Sequence, residues 1–455
     1  MSRGPVSPDE RPIAPLVVRF NRPCDPRGAA PLRIVPMIRP STPMIPAMLV
    51  IGVAAQLVNA PLWPSAVLAW LSTLWLFPRL PRSSQRQAQA LFGVGALLWG
   101  AAVLRGTDYS LFNALVINQS LLIMFAGVSF LAMASTVPES DTQPKEGSLI
   151  GTLLGAHFFG AVINLSVVFL LGGRMQRDGR LDRGQTIVIG RGFTAAAAWS
   201  PFFIAMGVAL TYAPGLDYAG LLPWGILTAA CLLLINYLDV IRKPYKPFIG
   251  YPIDRASLML PGFLATAVVV VNQIWPALSI VAIIAFASPI FSFAFMSPGN
   301  RRLRVRRQFT RGLPGLAPQF SLFLAAGVLS TGLTALLATL PEGMTLPIGT
   351  FGHLAAWIAL GILVALSFFG VHPLIGIASL APLIAPLDPD PTLTGMIFLM
   401  SWALGTGSSP LSGSNLALGQ SYGIKSRDFL IWNVPYAIAG WLICGGVLGL
   451  YALVV

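Results

Sequence analysis

Small hydroxyl residues, glycines and an amide are concentrated in one stretch of the second half of the chain, residues 405–423. The stretch contains Ser409, Ser412, Ser414 and Asn415, and it interrupts a long apolar run. The hydroxyls can donate to an anion or lend oxygens to a cation, and the amide offers donors and acceptors to a carboxylate. Alternatively, Asn415 caps a helix break and the serines only permit close helix contacts. We interpret the stretch as half of a binding site.

Four further polar residues lie inside apolar runs and are also candidates for contact with a solute. They are His157, Asn164, Ser200 and His372. Polar and ionisable groups at membrane depth are costly, so they default to functional hypotheses. A histidine there contacts a solute or carries a proton, because imidazole titrates near physiological pH. The alternatives are a hydrogen-bonded structural histidine and, for Asn164, a polar contact between helices.

Composition places the chain among polytopic membrane proteins. Of its 455 residues, 55% are hydrophobic and 10% are charged, whereas soluble domains carry about 25% charged residues. The net charge is +13, but the Lys and Arg residues cluster in short loops, which signals topology and not a nucleic-acid surface. Cys24, Cys231 and Cys444 have no metal or disulfide spacing. We predict an all-α polytopic inner-membrane protein that has the lipid bilayer as a partner and binds no nucleic acid.

The positions of the basic loops predict how the chain crosses the membrane. Residues 1–43 are expected to form a disordered cytoplasmic tail and residues 44–62 the first transmembrane helix. The positive-inside rule is satisfied further along only if two broken apolar segments, residues 148–172 and 353–386, each enter and leave on one side. The rule then gives about eleven transmembrane helices plus two re-entrant hairpins. Arg191 is expected to snorkel toward the cytoplasmic surface.

Short sequence echoes about 210 residues apart indicate an internal repeat. The echoes pair residues 110–112 with 321–323 (Ser-Leu-Phe), 158–160 with 368–370 (Phe-Phe-Gly), and 200–201 with 409–410 (Ser-Pro). Each predicted repeat, residues 63–250 and 251–455, has an odd number of crossings, so the second copy must be inverted. Inverted repeats built around broken helices are typical of secondary transporters.

Two short motifs in the second half carry a resemblance to a known family. Residues 370–373 are Gly-Val-His-Pro in the second hairpin, and residues 412–415 are Ser-Gly-Ser-Asn in the broken crossing. They resemble the Ser-Asn-Thr hairpin tips and the Thr-Pro-Pro-Asn-like turn of the ion-transporter superfamily, which includes sodium symporters of dicarboxylates and citrate and, more distantly, arsenite carriers. The first half departs further, because Met206 stands where the repeat would place Asn. The resemblance implies paired hairpins and broken helices in inverted repeats, and a homodimer.

These features predict a secondary active transporter, not an enzyme, that moves a small anionic solute by alternating access. Coupling would use a histidine that carries H⁺, or Na⁺ held by carbonyl and hydroxyl oxygens at the helix breaks, and no other cofactor is expected. An integral-membrane transferase acting on a lipid-linked substrate, with His157 or His372 as base, and a passive channel stay open as alternatives. The transferase would need an acidic or metal partner beside its base, which the sequence does not show. The aromatic first half fits a solute other than a small dicarboxylate.

Overall fold

The chain is predominantly helical, as its composition predicts. The computed structural model describes residues 41–134, 145–146, 148–242, 247–251, 255–276, 278–296, 299–340 and 349–455. Residues 1–40, nearly all of the predicted tail, lie outside the described residues. Within the described ranges the chain forms twenty α-helices, numbered α1 to α20 in chain order, and two short strands.

The helices divide between the two predicted repeats. The first half contains α1 (Ser41–Leu57), α2 (Trp63–Leu76), α3 (Arg82–Leu104), α4 (Phe112–Val116), α5 (Gln119–Val128), α6 (Leu131–Ala134), α7 (Leu149–Ile163), α8 (Ser166–Met175), α9 (Arg183–Ala195), α10 (Ile204–Tyr212) and α11 (Tyr218–Ile241). The second half contains α12 (Arg255–Ile274), α13 (Ile280–Phe295), α14 (Arg301–Arg307), α15 (Ala317–Leu337), α16 (His353–Phe368), α17 (Pro373–Ile384), α18 (Pro391–Ser408), α19 (Gly413–Tyr422) and α20 (Ser426–Val454). Strands β1 (Lys145–Glu146) and β2 (Ile249–Gly250) pair antiparallel.

Five helical stretches in the described part of the chain are long and apolar enough to cross a membrane. They are Arg82–Leu104, Phe112–Ala134, Tyr218–Ile241, Arg301–Leu337 and Ser426–Val454. Shorter apolar helices lie between them and include both predicted hairpins. Large apolar side chains such as Leu97 and Leu104 are 75% and 91% exposed. Exposed apolar surface of this kind marks a face that contacts lipid or another apolar partner.

One end of the helix bundle gathers arginines, and we call it the basic end. The Gln185 side chain, in the first turn of α9, donates to the carbonyl oxygens of Met175 (3.4 Å) and Ile249 (2.9 Å). Arg183 pairs with Asp239 of α11, with 2.8 Å between nitrogen and oxygen. The end of α8, the start of α9, the end of α11 and strand β2 therefore meet there. The arginines of these connections are Arg174, Arg177, Arg180, Arg183 and Arg242.

The opposite end of the bundle carries aspartates, and we call it the acidic end. The Tyr451 hydroxyl, near the end of α20, donates to the carboxylate of Asp390 before α18 at 2.9 Å. Pro391 lies beside Gly215, in the connection from α10 to α11. The end of α10, the start of α18 and the end of α20 therefore lie together. Asp217 belongs to the same connection as Gly215.

Helices α7 and α8 form a hairpin whose two ends meet at the basic end. Tyr251 joins those ends. Its N–H donates to the hydroxyl of Thr152, in the first turn of α7, at 2.9 Å, and its hydroxyl accepts from Arg174, in the last turn of α8. The turn at Asn164 therefore lies inside the bundle, one helix length from the basic end.

Helices α16 and α17 form a second hairpin, whose ends meet at the acidic end. Helix α16 packs antiparallel on α20, where Trp357 stacks on Trp441 with ring centroids 4.3 Å apart and also packs against Gly445. The start of α16 therefore lies toward Tyr451. Helix α17 leads to Asp390, which Tyr451 also contacts. The two hairpins thus extend into the bundle from opposite ends.

Two crossings of the bundle are interrupted near their middle. Residues 196–203 separate α9 from α10, and residues 409–412 separate α18 from α19. Helix α19 ends near the basic end, where the Tyr422 hydroxyl donates to the carbonyl oxygen of Phe169 in α8 at 3.3 Å. The pair α9–α10 therefore runs from the basic to the acidic end, and the pair α18–α19 runs in the opposite direction.

Helices α3 and α15, from different halves, touch through their backbones. A Cβ atom added to Gly95 would lie 2.7 Å from the Cα atom of Leu329, and one added to Gly332 would overlap the carbonyl oxygen of Gly95. Small residues at such positions let helices approach closely and gain van der Waals contact. This contact joins the two halves beside the hairpin turns.

Candidate functional site

A cavity of about 710 Å³ lies where the two hairpin turns meet the two helix breaks. The first half contributes Asn164 and Leu165 from its hairpin turn and Phe203 and Ile204 from its break. The second half contributes residues 370–373 from its hairpin turn and Ser409, Leu411, Ser412, Gly413 and Ser414 from its break. Ser83, Ser84 and Gln87 of α3, and Pro318 and Gln319 of α15, complete one side.

The cavity brings together part of the predicted site. Asn164, His372, Ser409, Ser412 and Ser414 line it. His157, Ser200 and Asn415 are buried and lie outside the lining. The two helix breaks are therefore close to one another, as the sequence predicts, but their polar side chains play different parts.

Ser200 and Ser409 tie each helix break to a hairpin. The Ser200 hydroxyl donates to the carbonyl oxygen of Ala161 at 2.6 Å and accepts from the N–H two residues later at 3.2 Å. The Ser409 hydroxyl donates to the carbonyl oxygen of Ser367 at 2.5 Å and accepts from the N–H two residues later at 3.1 Å. Each hydroxyl has one hydrogen, and the protein uses it. Through these bonds both serines position a break.

Ser200 and Ser409 each donate to a carbonyl that lies three residues before the turn of a hairpin. Asn164 turns the first hairpin with φ +51° and Gly370 turns the second with φ +84°. Positive φ is uncommon for a residue other than glycine, although Asn tolerates it better than most. The Asn164 amide donates to the carbonyl oxygen of Phe202 at 3.2 Å, which is a polar contact between elements.

The Phe-Phe-Gly echo does not mark equivalent positions in the two hairpins. Residues 158–160 lie inside α7, whereas residues 368–370 form the end of α16 and the turn. The Ser-Leu-Phe echo also differs, because residues 110–112 precede or begin α4 and residues 321–323 lie inside α15. Only the Ser-Pro echo coincides with a shared hydrogen-bond arrangement.

Four short helices begin at the cavity. Helices α8, α10, α17 and α19 have 10, 9, 12 and 10 residues. Leu165, Ile204, Pro373 and Gly413, at or directly before their first positions, all line the cavity. The first N–H groups of a helix have no partner within it, and its dipole places partial positive charge there. The N–H groups of these four ends can bind a negatively charged group, while the C-terminal ends of α7, α9, α16 and α18, at the same turns and breaks, present carbonyls of opposite partial charge.

Hydroxyl groups of the second break face the cavity with weak internal bonds. Ser412 caps α19 by accepting from the N–H of Asn415 at 3.3 Å, and its oxygen lies 3.2 Å from that of Ser414. Ser414 donates to the carbonyl oxygen of Thr406 at 3.4 Å. The Thr406 hydroxyl has no partner among the described residues. Bonds this long are weak, so these hydroxyls can exchange them for bonds to a solute.

Asn415, the residue that the sequence favours most for solute binding, supports the helix break from outside the cavity lining. Its side chain is 2% exposed. Its amide nitrogen donates to the carbonyl oxygens of Gly407 (3.2 Å) and Ser409 (2.9 Å). Breaking a helix leaves carbonyls without intrahelical partners, and Asn415 satisfies two of them. This arrangement corresponds to the alternative role as a cap.

His372 lies at the turn of the second hairpin and lines the cavity. It caps α17, because Nδ1 accepts from the N–H of Leu374 at 3.2 Å. The neutral ring therefore carries its proton on Nε2, which is a donor. The ring stands edge-on to Trp402, with centroids 5.1 Å apart. His372 is thus oriented by its own helix and by an aromatic neighbour.

His157 is satisfied within the protein. Its Nε2 accepts from the indole N–H of Trp199 at 3.0 Å, so its Nδ1 carries the proton and donates to the carbonyl oxygen of Gly192 at 3.2 Å. The ring is 3% exposed. These contacts join α7 to the first break and correspond to the alternative of a structural histidine.

Arg191 does not snorkel. It is 1% exposed, and its guanidinium pairs with Asp239 (2.8 Å) and donates to the side-chain oxygen of Asn433 (2.9 Å) and the carbonyl oxygen of Trp432 (2.7 Å). The guanidinium also lies 4.3 Å from the ring centroid of Tyr436. Asp239 can pair with Arg191 because the end of α11 packs beside α9. A hydropathy pattern along the chain does not show this contact.

Sequence reasoning missed several residues of the cavity. Gln87 and Gln319 stand early in α3 and α15, directly after basic loops, and Thr406 lies in the last turn of α18. A glutamine at the edge of or inside an apolar run is a signal that could have identified the first two. Phe203 and Trp402 are ordinary members of apolar runs, and only the fold brings them to the cavity.

Comparison of the chain with known protein families and with curated proteins finds no match. Functional inference therefore rests on the cavity and on the elements that surround it. Among the described residues, no group of three or more His, Cys, Asp and Glu side chains could hold a metal ion. What the cavity offers is hydroxyls, amides, an imidazole, aromatic rings and helix N-termini.

Proposed function

We propose that this protein is a secondary active transporter that moves a small anionic solute across the cytoplasmic membrane by alternating access. The observation that carries the proposal is the convergence of the N-termini of α8, α10, α17 and α19 on one cavity. Transporters with broken helices use such ends to hold anionic groups near the bilayer midplane. Each end favours a negative charge by about 0.3–1 kcal/mol at exposed sites.

The directions of the helices support an inverted repeat. The first hairpin extends from the basic end and the second from the acidic end, and the two broken crossings run in opposite directions. The matching bonds of Ser200 and Ser409 link corresponding elements. With the basic end in the cytoplasm, the hairpins are re-entrant and the chain is a candidate member of the ion-transporter superfamily.

The cavity reaches the starts of α3 and α15, which follow arginine-rich segments and lie on the cytoplasmic side by the positive-inside rule. Ser83, Ser84 and Gln87 lie in the first two turns of α3, directly after a connection with Arg79 and Arg82. Pro318 and Gln319 lie at the start of α15 after the arginines of α14. This position corresponds to an inward-facing state, in which the cytoplasm reaches the solute site.

Na⁺ or H⁺ is the proposed coupling ion. The unpartnered hydroxyl of Thr406 and the carbonyls at the second break are oxygen ligands of the kind that suit Na⁺. His372, at the cavity, is the candidate to carry a proton. Uptake driven by a sodium gradient or by a pH gradient distinguishes the two.

Uptake by proteoliposomes tests the proposal. The purified chain is reconstituted and offered labelled monocarboxylates and dicarboxylates under sodium, pH and zero gradients. We expect at least one anion to accumulate above its external concentration under one gradient. Ser412→Ala and Ser414→Ala should reduce this uptake about tenfold, because charge-assisted hydrogen bonds to a carboxylate are lost.

A matched control is Ser401→Ala, in helix α18. Ser401 is buried, and its hydroxyl donates to the carbonyl oxygen of Phe398 in the same helix, outside the cavity. Its removal should leave uptake unchanged. Solute that equilibrates under every gradient, with single-channel current, would indicate the passive channel. No uptake and no thermal stabilisation by any anion would refute the proposal.

A further inference from the structure

The cavity contains no charged side chain among the described residues. Its polar lining consists of hydroxyls, amides and the imidazole of His372. Arg191, which is buried in α9, forms an ion pair with Asp239 and donates a hydrogen bond to Asn433 of α20. A solute in this cavity therefore meets helix N-termini and neutral donors, but no Lys or Arg counter-charge.

At the level of the turns and breaks, the hydroxyls that line the cavity come from the second half. It contributes Ser412, Ser414 and the ring of His372, beside the apolar side chains of Val371, Trp402, Leu411 and Leu416. The corresponding side chains of the first half are the apolar ones of Leu165, Phe193, Phe203 and Ile204, with Asn164 the polar exception. The two halves share a backbone arrangement, but at the turns and breaks the hydroxyls belong to the second half and the paired rings of Phe193 and Phe203 to the first.

The apolar side is built from aromatic rings. The rings of Phe193 and Phe203 lie 5.2 Å apart between centroids. Phe125 contacts Phe323 across the two halves at 6.0 Å, and all four of these residues line the cavity. Aromatic rings pack well against another ring or a branched hydrocarbon.

A small dicarboxylate bound in extended form between the second break and the aromatic rings would place one carboxylate at the hydroxyls and the other against Phe193 and Phe203. Burying an ionised carboxylate against apolar groups is strongly unfavourable unless a counter-charge or several hydrogen bonds compensate. A solute with one carboxylate and an apolar body avoids this cost.

We infer that the transported solute is an amphipathic monocarboxylate with an aromatic or branched apolar body. This inference rests on the proposed transport function and specifies its substrate class. The carboxylate binds at Ser412, Ser414 and the start of α19, and the body contacts Phe193 and Phe203. The volume of about 710 Å³ lies within the usual range of small-molecule sites, about 300–1,000 Å³.

Three matched ligands test the inference by isothermal titration of the full-length chain in nanodiscs. The ligands are 3-phenylpropionate, benzylsuccinate, which adds a second carboxylate to a similar body, and succinate, which lacks the ring. We expect 3-phenylpropionate to bind at least about tenfold more tightly than either of the others, because the second charge is not compensated.

Two substitutions test whether the aromatic residues of the cavity contact the ring of the ligand. Phe203→Ala should weaken 3-phenylpropionate binding about tenfold through lost ring contact, while Phe286→Ala, at a 48% exposed position on α13 outside the cavity, should leave it unchanged. Equal or tighter binding of benzylsuccinate or succinate would overturn the inference, as would no binding of 3-phenylpropionate. If succinate is also accumulated by proteoliposomes, the substrate class fails while the transport function stands.

Discussion

Ser200 and Ser409 make matching pairs of hydrogen bonds in opposite halves of the protein. Each donates to the carbonyl three residues before a hairpin turn and accepts from the N–H two residues beyond itself. A helix break leaves backbone groups without partners, and within apolar surroundings these groups must be satisfied internally. The two serines therefore stabilise the breaks and fix their distance from the hairpins.

Replacing either serine should destabilise the protein. Ser409→Ala and Ser200→Ala each leave a buried carbonyl without its hydroxyl partner, which costs about 1 kcal/mol. Thermal unfolding in detergent should show a lower midpoint for both variants. Ser401→Ala, which removes a bond within a single helix, should show a smaller decrease, and equal decreases for all three would contradict the positioning role.

The buried guanidinium of Arg191 should be more important for stability than that of Arg183, although both pair with Asp239. Arg191 is 1% exposed and joins three helices, whereas Arg183 has a side-chain exposure of 21%. Arg191→Gln should cost about 3 kcal/mol, because it removes one partner of a buried pair. Arg183→Gln should cost less than about 1 kcal/mol.

Denaturant unfolding of the two arginine variants, compared with the wild type, measures this difference. Combining each arginine variant with Asp239→Asn completes a double-mutant cycle. The cycle gives the coupling energy between that arginine and Asp239. A larger coupling energy for Arg183 than for Arg191 would show that the interior pair does not dominate.

The contact between α3 and α15 should tolerate no added methyl group at Gly95. In Gly95→Ala the new Cβ would lie 2.7 Å from the Cα of Leu329, a backbone atom that cannot move aside. We expect a lower unfolding midpoint, with a cost of about 1–3 kcal/mol typical of overpacking. Gly100→Ala, in the same helix, meets no atom within 4 Å.

Gly100→Ala is therefore the matched control for Gly95→Ala. Alanine is favoured over glycine in a helix by about 1 kcal/mol, so this variant should be neutral or slightly stabilised. A destabilisation of Gly100→Ala as large as that of Gly95→Ala would mean that helix propensity, and not the interhelical contact, explains the effect.

Much of the architecture could be predicted because hydrophobicity and helix breakers act locally. Residues 405–423 combine glycines and serines with Pro410, and residues 199–201 are Trp-Ser-Pro. The chain breaks its helices at both places. The positive-inside rule predicts that residues 148–172 and 353–386 each enter and leave on one side, and in the structure both fold into hairpins. Their ends meet at Tyr251 and near Tyr451.

The sequence does not separate site residues from structural ones, because a polar side chain in an apolar run has several ways to be satisfied. Asn415, Ser200 and His157 each found partners within the protein. Nothing in their local sequence distinguishes these residues from His372 or Ser412, which line the cavity. The choice depends on which backbone groups the neighbouring elements bring within about 3 Å, the usual hydrogen-bond distance.

The sequence by itself determined that the chain is helical, apolar and broken at two places, because those properties follow from composition and from the backbone preferences of single residues. Only the tertiary structure decided that Arg191 is buried against Asp239 and α20, and that the serines of the second break and the rings of Phe193 and Phe203 line one cavity. Both depend on contacts between residues tens to hundreds of positions apart. Such contacts are set by how whole helices pack.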